Sequence, residues 1–507
     1  MTNFPPYLAE AKPIPWTSRA PWYKTIAPTY LGIMLWFVFW QDLVKGDGSP
    51  GGVLSVGVMP ALFGIIAAAL ICHFLFYMPP AMLGVKTGLP LYIVGTSTYG
   101  ARGGLFMPGF LMGLLQFGWL AVNAWAVGKI LCSCFNLGLS PSPAGAMEAT
   151  VPGWPHGIIA TVFAVLAAFV GLKGIQYVAR VATYLPLIPL AILLILAAIT
   201  WSGLKGYSPE KIVAAVPAAD VTVPEVAPEP LENPIATVEP LGYWGVIGVL
   251  ITYIVGFFAT AGAAGADIAM SSRRREDVHV GGVAGILIPT VVVSEITLLV
   301  IAGAYGGGMV KPENLGSYNP VVLLPDILGS SKAANIALIA LAISSFPAAC
   351  FSAFIAANSF KATMPKVNPF LSVGIGTLVA VILAVTGVVG NVIWVFQVIG
   401  ASFGPVCGAM LADFLLAGRK WSGPRAGFNP AGWVSWVVGF VVGAFNLVVD
   451  LLKDTEWAKE SLPNLADWAN CVPVPPVSAF IVGFALYVAM AVLGARTRKL
   501  VTTEATA

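Results

Sequence analysis

Apolar runs of about 20 residues, each bounded by charged residues or by Pro and Gly, recur twelve times along the chain. They fall near 28–44, 52–78, 105–134, 156–173, 177–202, 242–265, 281–305, 334–358, 369–389, 391–417, 430–452 and 475–495. A bilayer core of ~30 Å is crossed by roughly 20 helical residues. Helices satisfy every backbone N–H and C=O internally, which lipid demands. The pattern therefore predicts an all-α integral membrane protein with twelve transmembrane helices.

The positions between the runs set its orientation. With the N-terminus cytoplasmic, the cytoplasmic segments hold 18 of the 26 Lys and Arg residues, among them Lys86, Arg273, Arg274, Arg275, Arg419 and Lys420. The outer segments hold seven, and Lys129 lies inside the third run. Such an excess marks the cytoplasmic side, so both termini are expected there, in a cell (inner) membrane. Losing one run would scramble the asymmetry. The outer loop 203–240 has seven prolines and six acidic residues, a composition that predicts an extended loop. The first 27 residues carry Lys12, Arg19 and Lys24 without an apolar core, so no cleavable leader is expected.

Composition narrows the function classes. Of 507 residues, 58% are hydrophobic and only 10% charged, against about 25% charged in soluble domains. Three scattered histidines argue against a His-based zinc site, and six cysteines without a CxxC read as packing residues. A net charge of +3 predicts no nucleic-acid partner. With no P-loop, no cluster of His, Cys and Asp, and no soluble output domain, neither an enzyme nor a cofactor is expected.

Two runs are interrupted in a suggestive way. The first, Tyr30–Leu43, turns abruptly polar at Gln41–Asp42; the sixth carries Gly256, Gly262 and Gly265 before Asp267. They occupy matching positions if runs 1–5 and 6–10 are repeats. Broken helices at matching positions point to a transporter site, although glycines also serve helix packing. In the third run Trp119 and Asn123 are i and i+4, so an indole and an amide share one face, suited to a flat, hydrogen-bonding ring or to ordinary packing.

Several stretches together resemble the nucleobase–cation symporter family of purine/cytosine, uracil, allantoin and hydantoin permeases. They are GVKTGLPLYIVGTSTYGARGG (Gly84–Gly104), FGWLAVNAW (Phe117–Trp125), GFFATAGAAGADIAMSSRRREDV (Gly256–Val278), FQVIGASFGPVCGAMLADFLL (Phe396–Leu416) and GFNPAGWVSWVVG (Gly427–Gly439). The resemblance implies a leucine-transporter-type 5+5 inverted repeat plus two C-terminal helices. The order would be a cytoplasmic segment 1–27, a first repeat 28–202, the outer loop 203–240, a second repeat 241–417, two added helices 418–495 and a tail 496–507. It also implies a substrate sandwiched between Trp119 and Phe258, with Gln41 and Asn123 bonding the edge of the ring. Cys350 stands where hydantoin-type members carry asparagine, and a thiol is a poorer hydrogen-bond partner.

For the coupling ion the resemblance implies sodium between helices one and eight. Its ligands would be the Phe37, Trp40 and Leu341 carbonyls and the Ser344 and Ser345 hydroxyls, oxygen donors that suit a hard cation. The alternative for the serines is bonding back to their own helix. Glu295, near the middle of the seventh run, is the candidate for proton coupling instead. The reading is a monomeric secondary symporter of a planar heterocycle, with an amino-acid or cationic-vitamin carrier of the same fold as the alternative.

Overall fold

The computed structural model describes residues 5–35, 43–137, 153–174, 177–178, 182, 184–214, 239–453 and 455–500. Each of the twelve apolar runs carries a helix, numbered here α1–α12. Among the described residues ten are long and apolar enough to cross a membrane: α2 (Val58–Thr87), α3 (Leu105–Cys134), α4 (Trp154–Lys173), α5 (Leu187–Gly206), α6 (Tyr243–Ala263), α7 (Arg275–Gly306), α8 (Ser331–Lys361), α10 (Val392–Leu416), α11 (Pro430–Leu452) and α12 (Pro475–Val492). The apolar α9 (Pro369–Val385) is shorter, and α1 (Ile26–Met34) is the described part of the first run.

Several boundaries differ from the sequence reading, for local reasons. Gly52 and Gly57 have φ of +52° and +102°, so α2 starts only at Val58. It then runs past Pro79 and Pro80 to Thr87, because a π-helical turn at Cys72–Tyr77 precedes them. The wider turn accommodates the missing proline N–H donors. The same device recurs in α7, where the π turn Val283–Leu287 precedes Pro289. α2 and α7 are the second helices of the two five-helix halves, so the irregularity itself repeats. α8 bends at Ser345. Pro347 offers no N–H to the Ile343 carbonyl, which frees the turn.

α3, α6, α8 and α10 form the buried centre, while α4, α5 and α11 turn more of their surface outward. The last two helices are added through small residues. Gly400, Gly404 and Gly408 put a flat stripe on α10 against α12; a Cβ on Gly404 would stand 2.7 Å from the Pro476 carbonyl oxygen. Gly439 and Gly443 of α11 meet Pro405 and Ala401 of α10 in the same way. Close backbone approach of this kind is how helices associate in lipid.

The first and last described segments, around Tyr7 and Arg498, lie at one end of the bundle, called basal here. The Tyr7 hydroxyl donates to the Ala101 carbonyl, and Ala426 N–H donates to Arg498 O at 2.9 Å. Polar groups are densely paired there. Asp413 at the end of α10 accepts from the Tyr487 hydroxyl (2.8 Å) and the Ser422 hydroxyl (3.1 Å), and Arg425 Nη2 stands 3.8 Å away. Arg425 also donates to the carbonyls of Ser97 and Thr497, both at 2.9 Å. Asp267, just beyond α6, accepts the Leu91 N–H at 3.0 Å and so caps a short helix, Leu91–Val94. Burial pushes its carboxyl up to about 6, against that hydrogen bond.

Candidate substrate site between α1, α3, α6 and α8

Midway along the bundle a cavity of about 40 Å³ opens between four helices. A single water takes up about 10–15 Å³ on this scale, so a few waters fit and no heterocycle does. Helical periodicity explains its walls. Gln116, Trp119 and Asn123 come from α3 at i, i+3 and i+7, and Phe257, Thr260, Ala261 and Ala264 come from α6 and its end at i, i+3, i+4 and i+7. Ala348, Phe351 and Ser352 supply α8, and Ile33 supplies α1.

Three rings close one side of the site. Trp119 meets Phe257 edge to face, with centroids 5.1 Å apart and planes at 85°, and Phe396 of α10 lies 5.3 Å from Trp119 and 5.6 Å from Phe257. A planar ligand stacked between two rings needs their faces parallel and parted, so here the rings fill each other's space. The indole is oriented by its Nε1–H, which donates to Thr260 Oγ1 at 3.1 Å. The Asn123 amide donates from Nδ2 to the Trp119 carbonyl at 2.8 Å. Its Oδ1 is buried and has no hydrogen-bond partner among the described residues. Such an acceptor is costly unless something donates to it. The Ser352 hydroxyl donates to Ala348 O at 3.1 Å and keeps lone pairs to accept.

No protein-family model matches the chain, and no curated protein matches it in sequence. Solved structures do match. Mhp1, a nucleobase-cation-symport-1 family transporter in a closed conformation with bromovinylhydantoin bound, is 15% identical, with 97% of this chain and 95% of that chain covered and a TM-score of 0.62. A Na+-coupled sialic acid symporter in a substrate-bound outward-open state is 11% identical, with 95% and 92% covered and a TM-score of 0.53. A manganese transporter of Eremococcus coleocola is 12% identical, with 95% and 99% covered and a TM-score of 0.52. The chain has the leucine-transporter-type fold. In that fold α1–α5 and α6–α10 are the inverted repeats and α11–α12 the added pair.

Within this leucine-transporter-type frame, Trp119 and Asn123 both line the cavity. Two expected residues do not. Phe258 is fully buried and packs 5.8 Å from Tyr30, while its neighbour Phe257 takes the place in the wall. One residue is a 100° rotation on an α-helix, and the small face of Thr260, Ala261 and Ala264 is in register with 257. Cys350 is likewise fully buried, two residues and about 200° round α8 from Ala348, so it points away from the cavity. Gln116, Thr260, Ser352 and Phe396 were not anticipated; the i, i+3 spacing of Gln116 with Trp119 and of Phe257 with Thr260 is the signal for the first two.

Of the implied sodium ligands and the helix-one amide, Phe37, Trp40 and Gln41 lie outside the described residues. Ser344 and Ser345 sit at the bend of α8, where their hydroxyls donate to Leu341 O and Ala342 O, both at 2.7 Å. The Leu341 carbonyl named as a ligand is thus engaged within its own helix. Glu295 lies on α7, away from the cavity lining, half-buried, and its Oε2 has no hydrogen-bond partner among the described residues.

Proposed function

We propose that this protein is a secondary active symporter that imports a nucleobase or related planar heterocycle by alternating access, coupled to sodium. The observation that carries the reading is the unpaired Asn123 Oδ1 beside the aromatic wall of Trp119 and Phe257. A ring N–H would satisfy the amide oxygen, and ring faces would replace the contacts the aromatic side chains now make with each other. Base–aromatic stacking contributes about 1–3 kcal/mol in nucleic-acid complexes. An amide acceptor discriminates among rings by their donor pattern. The bromovinylhydantoin bound to Mhp1 is such a planar ring with N–H donors.

Binding would part the rings, which in the described geometry fill each other's space. We read the basal end, with its Lys and Arg, as cytoplasmic and the membrane as a cell (inner) membrane, with one chain as the working unit. Sodium is favoured by the bend at Ser344–Ser345, and by the Na+-coupled symporter that shares the fold. The orphaned Glu295 carboxylate favours a proton as the second reading.

The test is uptake into proteoliposomes of labelled cytosine, uracil, hypoxanthine, allantoin, hydantoin and thiamine. Each is run with an inward sodium gradient, an inward proton gradient, and neither. We expect sodium-driven uptake of one ring compound, lost in Trp119→Ala, with sodium dependence erased in the Ser344→Ala/Ser345→Ala double variant. Proton-driven uptake abolished by Glu295→Gln would transfer coupling to α7. Folded protein that takes up none of the panel would remove the heterocycle assignment.

A further inference from the structure

At the basal end, outside the central cavity, a concavity of about 1310 Å³ opens between α2, the start of α7 and the end of α10. Six basic side chains line it: Lys86, Arg273, Arg274, Arg275, Arg419 and Lys420. They come from three separate parts of the chain. Lys86 Nζ donates to the Arg419 carbonyl, lies 5.0 Å from the centroid of the Phe414 ring, and feels the charges of Arg275, Arg419 and Lys420. Like charges this close repel unless an anion sits between them.

The protein supplies little to offset them. Glu276 is the single carboxylate in the lining, and His279 is the remaining titratable group. Asp277 beside it is engaged with the backbone N–H groups of Trp22 and Arg274 at 3.1 and 3.0 Å. None of the six bases has a carboxylate within 4.0 Å among the described residues. Their neighbours are apolar. Phe74 (52% exposed) and Leu415 (43% exposed) face outward, with Met82 and Leu411 between. An apolar wall that continues into a crown of bases matches a molecule with hydrocarbon at one end and negative charge at the other. A free anion would leave the apolar wall unused.

We propose that this concavity is a binding site for an anionic phospholipid. The phosphate is held among Arg273–Arg275, Arg419 and Lys420, and the acyl chains run along Phe74 and Leu415. Basic pockets between transmembrane helices recognise lipid headgroups in this way.

The full-length protein, delipidated in neutral detergent, is titrated with phosphatidylglycerol, phosphatidylcholine or glycerol phosphate. Bound molecules are counted by native mass spectrometry, and thermal stability is measured in parallel. We expect one phosphatidylglycerol per chain held at least 10-fold more tightly than phosphatidylcholine, with glycerol phosphate not retained and affinity falling as salt is raised. Arg273→Gln/Arg275→Gln/Arg419→Gln should weaken binding on the order of 100-fold, at about fivefold per charge near a membrane surface. The exposed-loop pair Arg419→Gln/Lys420→Gln gives an independent reading should the triple variant fail to fold. The control Lys459→Gln, on the opposite side of the bundle, should change nothing. Equal retention of the two lipids, binding unaltered in the variants, or tight binding of glycerol phosphate would each overturn the proposal, the last by assigning the site to a soluble phosphate.

Discussion

Asn123 in the cavity wall and Asn429 at the basal end are both almost fully buried, at 2% and 0% exposure. Asn429 uses both ends of its amide. Its Nδ2 donates to Thr98 O at 2.7 Å, and its Oδ1 accepts the Thr497 N–H at 3.1 Å. Asn123 uses one end and leaves its oxygen without a partner. At the basal end Asp413, Arg425, Tyr487 and Asn429 are each paired and join the C-terminal helices to the 91–104 segment, while the hydroxyls of Thr98, Tyr99 and Thr497 and the Trp433 indole N–H beside them have no partner among the described residues. At the centre it is an amide in a cavity wall that is left half-paired. Buried polar groups that are fully paired hold elements together, and an open one that faces a cavity is placed to meet a guest.

The comparison breaks most visibly at Arg425. Arg425→Met leaves the buried Asp413 carboxylate short of its cation and two carbonyls short of a donor. Removing one member of a buried pair typically costs about 3–5 kcal/mol, so thermal unfolding in detergent should show a large drop in Tm. An unchanged Tm would mean that the basal network is incidental.

A similar stability loss is expected for Phe258→Ala, since emptying a buried phenylalanine site costs about 3–5 kcal/mol. Phe257→Ala sharpens the contrast. It should weaken heterocycle binding by about 1–3 kcal/mol, the value of one stacked ring, measured by equilibrium binding to the folded protein. If Phe258→Ala were the variant that loses binding at unchanged stability, the register assigned to α6 would be wrong.

Asn123→Leu removes an unpaired oxygen from the interior. Its stability should stay level or rise while affinity for the ring compound falls by about 1–3 kcal/mol. A clear loss of Tm instead would place Asn123 with the saturated groups. The smallest effect concerns Asp267. A carboxyl raised from 3.8 to about 6 binds its proton more tightly in the folded protein. Its contribution to stability is present at low pH and is lost as pH rises through about 6. The Tm of the wild-type protein should therefore fall between pH 4 and 7 relative to that of Asp267→Asn, which keeps the acceptor for Leu91 N–H. Parallel pH profiles would remove Asp267 as the source.

The helices were legible in the sequence because a bilayer imposes both a length and a composition on whatever crosses it. Boundaries were less so. The second run was ended at 78, before Pro79 and Pro80, yet a π turn carries α2 past them to Thr87, and a turn of that kind has no composition of its own. Trp119 and Asn123 could be placed because their i, i+4 spacing is itself geometric. Phe257 and Phe258 are adjacent and chemically identical, so only the face defined by Thr260, Ala261 and Ala264 separates them. Cys350 lies off the cavity wall for the same reason: a residue name matched to a position does not state the rotation of the helix. Ser352 and Phe396 were missed because nothing local distinguishes a serine or phenylalanine that borders a cavity from one that packs.

The glycine seam along α10 bears on how the cavity can yield. Phe396 stands one turn before Gly400, on a helix whose Gly400, Gly404 and Gly408 lie flush against α12. The backbone that carries that ring cannot withdraw without dragging the C-terminal pair with it. Phe257 shares that footing, since a Cβ on its neighbour Gly256 would stand 2.9 Å from the Phe396 carbonyl oxygen, so a guest wedged among the rings displaces Trp119 of α3. The pocket behaves as a vice with one jaw bolted down, and α11 and α12 are the bench to which it is bolted.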